Sequence, residues 1–470
     1  MKNKRIYLCL AHMSEAGLEQ KYIQEAFDTN WVVPLGPNVN GFEKDLEEFV
    51  SLTPAPSPKG EGNSMSHPSG GDAEGTKRVV ALSSGTAAVH LALIACGVGP
   101  GDEVIVQSFT FCASSHPITY LGATPVFIDS EKDSWNIDPD LLEAAIKDRI
   151  AKTGKKPKAI VPVALYGMPY DIDRIMEIAN KYDIPVIEDA AEGFGSRWKG
   201  QVLGTFGQYG VLSFNGNKMI TTSGGGALIS PNDEAWQTIM WLATQAREAY
   251  PYYQHEAIGY NYRMSNICAG IGRGQMTVAN DHIAHHKHVQ ALYEELLKDV
   301  PGVHVHSQPK VSPTGVDLEG AFDSNYWLCT ITIDPEVRIK GQENAYKTVV
   351  QGAVGGAAGV VHATDNAHTD CEPNANVEAL RVILDQAGVE ARPLWKPMHC
   401  QPVYKRAEVK SEKLKMEGGE IIRQTSGSSV AYINGVSESL FKVGMCLPSG
   451  PYVTDDDVRY IVKIILDSIQ

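Results

Sequence analysis

VIEDAAEGFG at residues 186–195, read together with SFNGNK at residues 213–218, decides the architecture. The first stretch is a short apolar run that ends on an acid, Asp189, and then breaks into small residues. The second closes another apolar run with a Gly/Asn-rich turn carrying Lys218. Taken singly, Lys218 reads as a surface lysine and Asp189 as a helix cap. Taken together, an amine and a carboxylate at the ends of strand-like runs suit pyridoxal phosphate. Its aldehyde condenses with a lysine, and its pyridine nitrogen keeps a proton beside an anion.

Outward from this pair, residues 79–218 alternate apolar strand-like runs with helical periodicity, the mark of an α/β fold with a parallel sheet and crossover helices. The expected strands are VVALS (79–83), DEVIVQ (102–107), TPVFID (124–129), AIVPVAL (159–165), IPVIED (184–189) and GVLSF (210–214). Helices are expected at Thr86 to Cys96 and Asp173 to Tyr182. Active residues of such sheets gather at the carboxyl ends of the strands, where Ser83 to Thr86, Asp189 and Ser213 fall. In ALSSGTAAVHLAL (81–93) a small-residue turn opens a helix whose first turn holds Thr86 and Ala87. Helix-start N–H groups bind phosphate, and Gly85 lets an anion come close. Phe109 and Phe111 follow the next strand, and alternation leaves one of them facing the sheet's open end. No GxxxxGK[ST] run is present, and the glycines at 270–274 do not open a βαβ unit, so nucleotide loops are discounted.

The chain has 470 residues, enough for two or three domains. A net charge of -15 argues against nucleic acid or an anionic membrane as a general partner. Eight scattered cysteines without a CxxC spacing argue against a zinc ribbon or a disulfide framework, so no metal is expected. Neither a signal peptide nor a membrane span is legible, and a cytoplasmic location is expected.

From about residue 275 the text changes character, so a large domain is expected over 1–274 and a smaller C-terminal one over 275–470, ending in a capped amphipathic helix at Thr454 to Ile469. Three stretches read as insertions: Pro/Gly/Ser-rich 53–76, expected to be mobile and dispensable, Gly/Ala-rich 347–374, and 405–430, the last two as loop extensions on the second domain. His282 and His286 are an i, i+4 pair able to bind a metal, but a solvated helix is the better reading because no acid or cysteine completes the set. The run YPYYQHEAIGYNYR (250–263) reads either as core filler or as a source of sugar and phosphate contacts at a dimer edge, Tyr260 and Arg263 among them, and the second reading is preferred.

The blocks VVALSSGTAAVHLAL, GVGPGDEVIVQSFTF, YLGATPVFID, IPVIEDAAEGFGS, SFNGNKMITTSGGGA, GYNYRMSNICAG, ARPLWKPMHCQPVY and LFKVGMCLPSG occur in the order of the DegT/StrS-type nucleotide-sugar aminotransferases, which this chain resembles over most of its length. The resemblance implies the type I aminotransferase fold, a large domain with a mostly parallel mixed sheet plus a smaller α+β domain, and a homodimer with shared sites. It implies that Lys218 carries the cofactor and relays the proton, and that Asp189 pairs with the pyridine nitrogen. Phe111 would stack on the ring, and Gly85, Thr86, Ala87 and Ser213 would hold the phosphate. Glu192 would lie beside the ring hydroxyl, Asn261 would reach the neighbouring subunit's phosphate, and Lys396 or His399 would meet a nucleotide diphosphate. Many members carry His at the position of Asn215 and an acid within the run TTSGGG (221–226). The same departures mark C4 aminotransferases acting on UDP-linked 4-keto-6-deoxy-N-acetylhexosamines, which makes transfer from L-glutamate to such a sugar the expected reaction. A dTDP-sugar or cyclitol acceptor, or a non-catalytic regulator, are the rival readings. Relatives that dehydrate or deoxygenate replace the lysine, which this chain keeps.

Overall fold

The computed structural model describes residues 5–51, 77–311, 317–346, 371–405, 409–416 and 419–470. The insertion read at 53–76 and residues 347–370 of the second one therefore lie outside the described residues.

The expected strands form at Arg78–Leu82, Glu103–Gln107, Thr124–Ile128, Ala159–Val161, Ile187–Asp189 and Tyr209–Ser213. Gly226–Ser230 slots between Arg78–Leu82 and Tyr209–Ser213, antiparallel to both. Ile187–Asp189 continues parallel to Tyr209–Ser213, and parallel bridges from Ile160 to Val186 and from Val163 to Asp189 join it to Ala159–Val161. Beyond that lie Glu103–Gln107 and Thr124–Ile128, both parallel. These strands are thus mostly parallel, with Gly226–Ser230 reversed among them. Alternate residues of each strand enter two different cores: Val79, Ile105, Val126 and Ile160 on one face, Val80, Val104, Phe127 and Val161 on the other. Both faces are covered, which is why these runs are almost wholly apolar.

Helices fall where expected, at Gly85–Ala95 and Ile172–Tyr182, the latter capped by Asp171. The closing helix, Asp455–Ser468, starts with a reciprocal capping box between Thr454 and Asp457. Among the described residues no helix is long and apolar enough to cross a membrane.

A second sheet, Val303–Val305, Cys329–Ile333, Gly444–Leu447 and Arg392–Pro393, is antiparallel. Its core holds Ile331, Leu380, Met445 and Ile461, and it also takes in Ile6, bridged to Val389, while Leu8 and Cys9 pack on the large core. Ala279–Leu297 spans the two, giving Ile283 to the large core and Val289, Tyr293 and Leu297 to the small one.

Two expectations are corrected. Residues 405–430 are not a loop extension of the second unit: Lys410–Met416 and Gly419–Thr425 form a hairpin that runs through Val430–Ile433 onto Thr124–Ile128, extending the large sheet. Its charges alternate with Leu414 and Ile421, both packed on the large core, and Arg423 is buried against Asp148. A period of two was present in what read as a charged run. The histidine helix is not solvated either. His282 and His286 are buried, each bonded through Nδ1 to a backbone carbonyl, of Met219 (3.1 Å) and Tyr326 (3.2 Å). They tie the helix to the large domain and to the loop before Cys329–Ile333, and only His288, paired with Asp455, faces outward.

Candidate active site

A cavity of about 330 Å³ opens at the carboxyl ends of the parallel strands. It brings together Gly85, Thr86, Phe111, Asp189, Glu192, Ser213 and Lys218. Four separate stretches of the chain supply these residues, and the sheet order places them side by side.

One end is a helix start. Ser84 caps Gly85–Ala95 by accepting the Ala87 N–H at 3.0 Å, so that donor is occupied and Ala87 lies behind the cavity wall. The N–H groups of Gly85 and Thr86 have no partner among the described residues and sit at the positive end of the helix dipole. A Cβ on Gly85 would meet the Ser213 Cβ at 3.0 Å, which explains glycine there: Ser213 is pressed against the same helix start. An anion fits this wall.

At the other end lies Asp189. Its carboxylate accepts the Ser114 hydroxyl at 2.6 Å and the Ala191 N–H at 3.1 Å. Burial pushes its pKa up, opposed by these bonds and more weakly by the Lys218 charge. Among the described residues it has no ion pair, so its carboxylate is open to a cationic partner. Phe109 is fully buried whereas Phe111 is 54% exposed and lines the cavity, so alternation turns the second ring toward the open end.

Lys218 completes the set. Its Nζ lies 3.6 Å from Glu192 Oε1 and 4.0 Å from the centre of the Trp327 ring. The loop before it is closed by Phe214 N–H to Gly225 O and Thr222 N–H to Phe214 O, both 2.9 Å. The Trp327 indole N–H bonds Asn217 O at 2.7 Å and fixes the turn from the side. Asn325 then ties Trp327 to the Glu192 loop: its Oδ1 accepts the Trp327 N–H, and its Nδ2 donates to the carbonyls of Glu192 and Phe194. Glu192 also accepts the N–H of Tyr166, a residue held at φ 54°, and the indole N–H of Trp395. Burial pushes the Glu192 pKa up and the Lys218 charge opposes it.

Ser114, Trp327, Trp395, Tyr166 and Asn325 had no assigned role in the sequence. Ser114 was within reach, since it lies three positions after Phe111. Trp327 and Asn325 lie just ahead of Cys329–Ile333, more than a hundred positions from the residues they hold, so nothing local marks them.

The substrate candidates lie outside this cavity. Arg263 is buried in an ion pair with Glu43 (2.5 Å) and donates to Ala81 O, so its charge is already matched. Tyr260 stacks on Tyr262 and meets His90 edge-on. Asn261 is exposed beside them. His399 is buried with Nδ1 2.7 Å from the Ser108 hydroxyl and lines neither the cavity nor the adjoining groove. Lys396 does line that groove, with Phe111 and Trp395.

Residues 72–355 match the profile of the DegT/DnrJ/EryC1/StrS aminotransferase family. The chain belongs to this family. A Bacillus subtilis (strain 168) relative named "Putative pyridoxal phosphate-dependent aminotransferase EpsN" is 39% identical over 464 residues, covering 99% of this chain and 96% of its own. A Caulobacter vibrioides GDP-perosamine synthase is 32% identical over 85% of this chain and 87% of its own. The crystal structure of a DegT DnrJ EryC1 StrS aminotransferase from Brucella abortus superposes with a TM-score of 0.71 at 25% identity, covering 96% and 95% of the two chains. This DegT-family protein is an aminotransferase of the type I fold that works with pyridoxal phosphate, and the cavity suits that cofactor: an anion wall at one end, a buried unpaired carboxylate at the other and a lysine between them. When bound, the cofactor supplies a carbonyl that exchanges amino groups and a ring that accepts the electron pair of the neighbouring carbon. The chain supplies the amine of Lys218, the one lysine lining the cavity among the described residues, which is placed to take up and return a proton at the reacting carbon. Asp189 would hold positive charge on the bound cofactor, and Trp327 and Glu192, which lie against the lysine amine, would keep it in place.

Proposed function

We propose that this DegT-family aminotransferase moves the amino group of L-glutamate to C4 of a UDP-linked 4-keto-6-deoxy-N-acetylhexosamine, for surface glycan synthesis in the cytoplasm. The observation that carries the transfer reaction is the meeting of the Lys218 amine, the Asp189 carboxylate and the open helix start in one cavity. A nucleotide-sugar acceptor is supported by the names of the relatives. Besides the GDP-perosamine synthase, a Pseudomonas aeruginosa relative, 38% identical over 57% of this chain, is a UDP-2-acetamido-2-deoxy-3-oxo-D-glucuronate aminotransferase. The UDP reading leans on Asn215 and the small residues Gly224 and Gly225, which all line the cavity at the positions where the text departs from the commoner pattern. A GDP-linked hexose is the second reading, favoured by two further GDP-perosamine synthases, from Escherichia coli O157:H7 and Vibrio cholerae, that each align over at least 96% of this chain.

The active unit in this reading is a homodimer. Asn261 sits outside its own chain's cavity, next to exposed Tyr250, Tyr252, Tyr253 and Ile258, which suits a surface covered by a second copy whose cofactor phosphate Asn261 would reach. Absorbance tests the reaction. With pyridoxal phosphate the protein gains the band of the lysine-linked cofactor, L-glutamate removes it, and the acceptor restores it. Restoration by the UDP sugar but not its GDP or dTDP counterparts supports the first reading, and restoration by the GDP sugar alone replaces it with the second. No response to any amino donor would leave a cofactor-binding protein without turnover. Lys218→Ala should show no such band.

A further inference from the structure

Among the described residues, one cluster of metal-ligating side chains lies outside the cavity: Cys371, Cys400 and Glu438, whose donor atoms all fall within 4.8 Å of one another. We propose that these three residues bind a thiophilic divalent cation of the zinc class, with water in the fourth position. The sequence spacing conceals the site. Cys371 precedes the helix Ala375–Gln386, Cys400 ends the short turn Met398–Cys400, and Glu438 lies on the helix Val436–Val443, 38 positions further along.

The geometry is close to a filled site. Cys400 Sγ is 4.0 Å from Glu438 Oε2. Zn–S bonds of about 2.3 Å and Zn–O bonds of about 2.1 Å in a tetrahedron put ligand atoms roughly 3.5–3.8 Å apart, so closure needs shifts of under about 1 Å. Both thiols are buried and packed with Phe441, which keeps competing water out. Charge is provided for. Two thiolates and a carboxylate around a dication leave one negative charge, and Lys442 lies 2.7 Å from Glu438 Oε1 while the Lys396 ammonium bonds Cys371 O at 2.9 Å. A cation replaces both thiol protons at once, and two protons leave to solvent.

A disulfide is the competing fate of two neighbouring cysteines. It needs no carboxylate beside it, whereas Glu438 stands within 4.0 Å of Cys400 Sγ. The metal would join three segments at the rim of the active cavity, immediately after Trp395 and Lys396, and so hold the KPMH segment in place.

The test uses the full-length protein with its cofactor, freed of metal by a chelator. Titration with Cd²⁺ should give thiolate-to-cadmium charge-transfer absorbance saturating at one ion per chain, with about two protons released into weak buffer and displacement by Zn²⁺. Affinity should fall at least ten-fold in Cys371→Ser, Cys400→Ser and Glu438→Gln. In the unmodified protein Cd²⁺ should shield Cys371 and Cys400 from a thiol alkylating reagent, read by peptide mass, which keeps the test decisive if a cysteine variant folds poorly. No absorbance at stoichiometric Cd²⁺, unchanged affinity in the variants, or a Cys371–Cys400 disulfide in protein that takes up no metal would each overturn the site.

Discussion

Replacing Asp189 by Asn should move stability and cofactor affinity in opposite directions. The carboxylate is buried, accepts one hydroxyl and one amide proton, and has no ion pair among the described residues. Without cofactor it is a charge that folding takes out of water, which is why burial raises its pKa. A carboxyl that holds its proton more tightly when folded weakens the fold as pH rises from its unfolded value near 4 toward the folded one. Asn removes that penalty and fits the same bonds. Its oxygen can keep the Ala191 N–H, and the Ser114 hydroxyl, 2.9 Å from Thr110 Oγ, can turn its proton there and accept the new amide. With cofactor, the variant loses a charge-assisted hydrogen bond worth about 1.5–3 kcal/mol, roughly ten- to hundred-fold in affinity. Thermal unfolding of the cofactor-free proteins at pH 5 and pH 8, with a pyridoxal phosphate titration by fluorescence, checks both sides. The variant should melt higher than the unmodified protein, by more at pH 8, and bind the cofactor more weakly. A variant that melts lower at pH 8, or one that binds as tightly as before, refutes the reasoning.

Three further outcomes are expected. Gly167 sits at φ +96°, and a Cβ there would lie 1.8 Å from Asn325 Oδ1. Gly167→Ala should therefore cost about 2–6 kcal/mol from backbone strain and a broken buried bond, read as a lower urea midpoint, and an unchanged midpoint would contradict the packing described. Burial pushes the His286 pKa down to about 3, so the unfolded chain takes up a proton below about 6.5 that the folded one refuses, and stability is lost as pH falls. His286→Gln should recover roughly 2 kcal/mol of the loss between pH 7 and pH 5; equal pH slopes would count against it. Phe111→Ala should leave the melting temperature of the cofactor-free protein within about a degree, since the ring is exposed, and weaken cofactor binding by about 2- to 12-fold, the worth of one ring stack. Full affinity in that variant would remove Phe111 from the cofactor site.

How much was legible follows from the range of the forces involved. Strand alternation and helix starts are set by residues a few positions apart, so the sheet strands, the phosphate-binding helix and the capping box at Thr454 could be read directly, and Lys218 and Asp189 stood out because turns deliver them at strand ends. The hairpin at 410–425 carried the same signal, but its charges masked it. The histidines at 282 and 286 could not be placed by local rules, because what buries them is a packing surface assembled from Met219 and Tyr326.

By itself, then, the sequence determined the sheet, its cofactor and the two residues that mark it, because local patterning and turn chemistry are written in consecutive positions. Only the tertiary structure decided which side chains hold those residues still. Trp327 and Asn325 reach Lys218 and Glu192 across more than a hundred positions, Arg263 pairs with Glu43, and Cys371, Cys400 and Glu438 meet across three segments. Long-range packing and charge pairing act through space, and a linear text does not record distances in space.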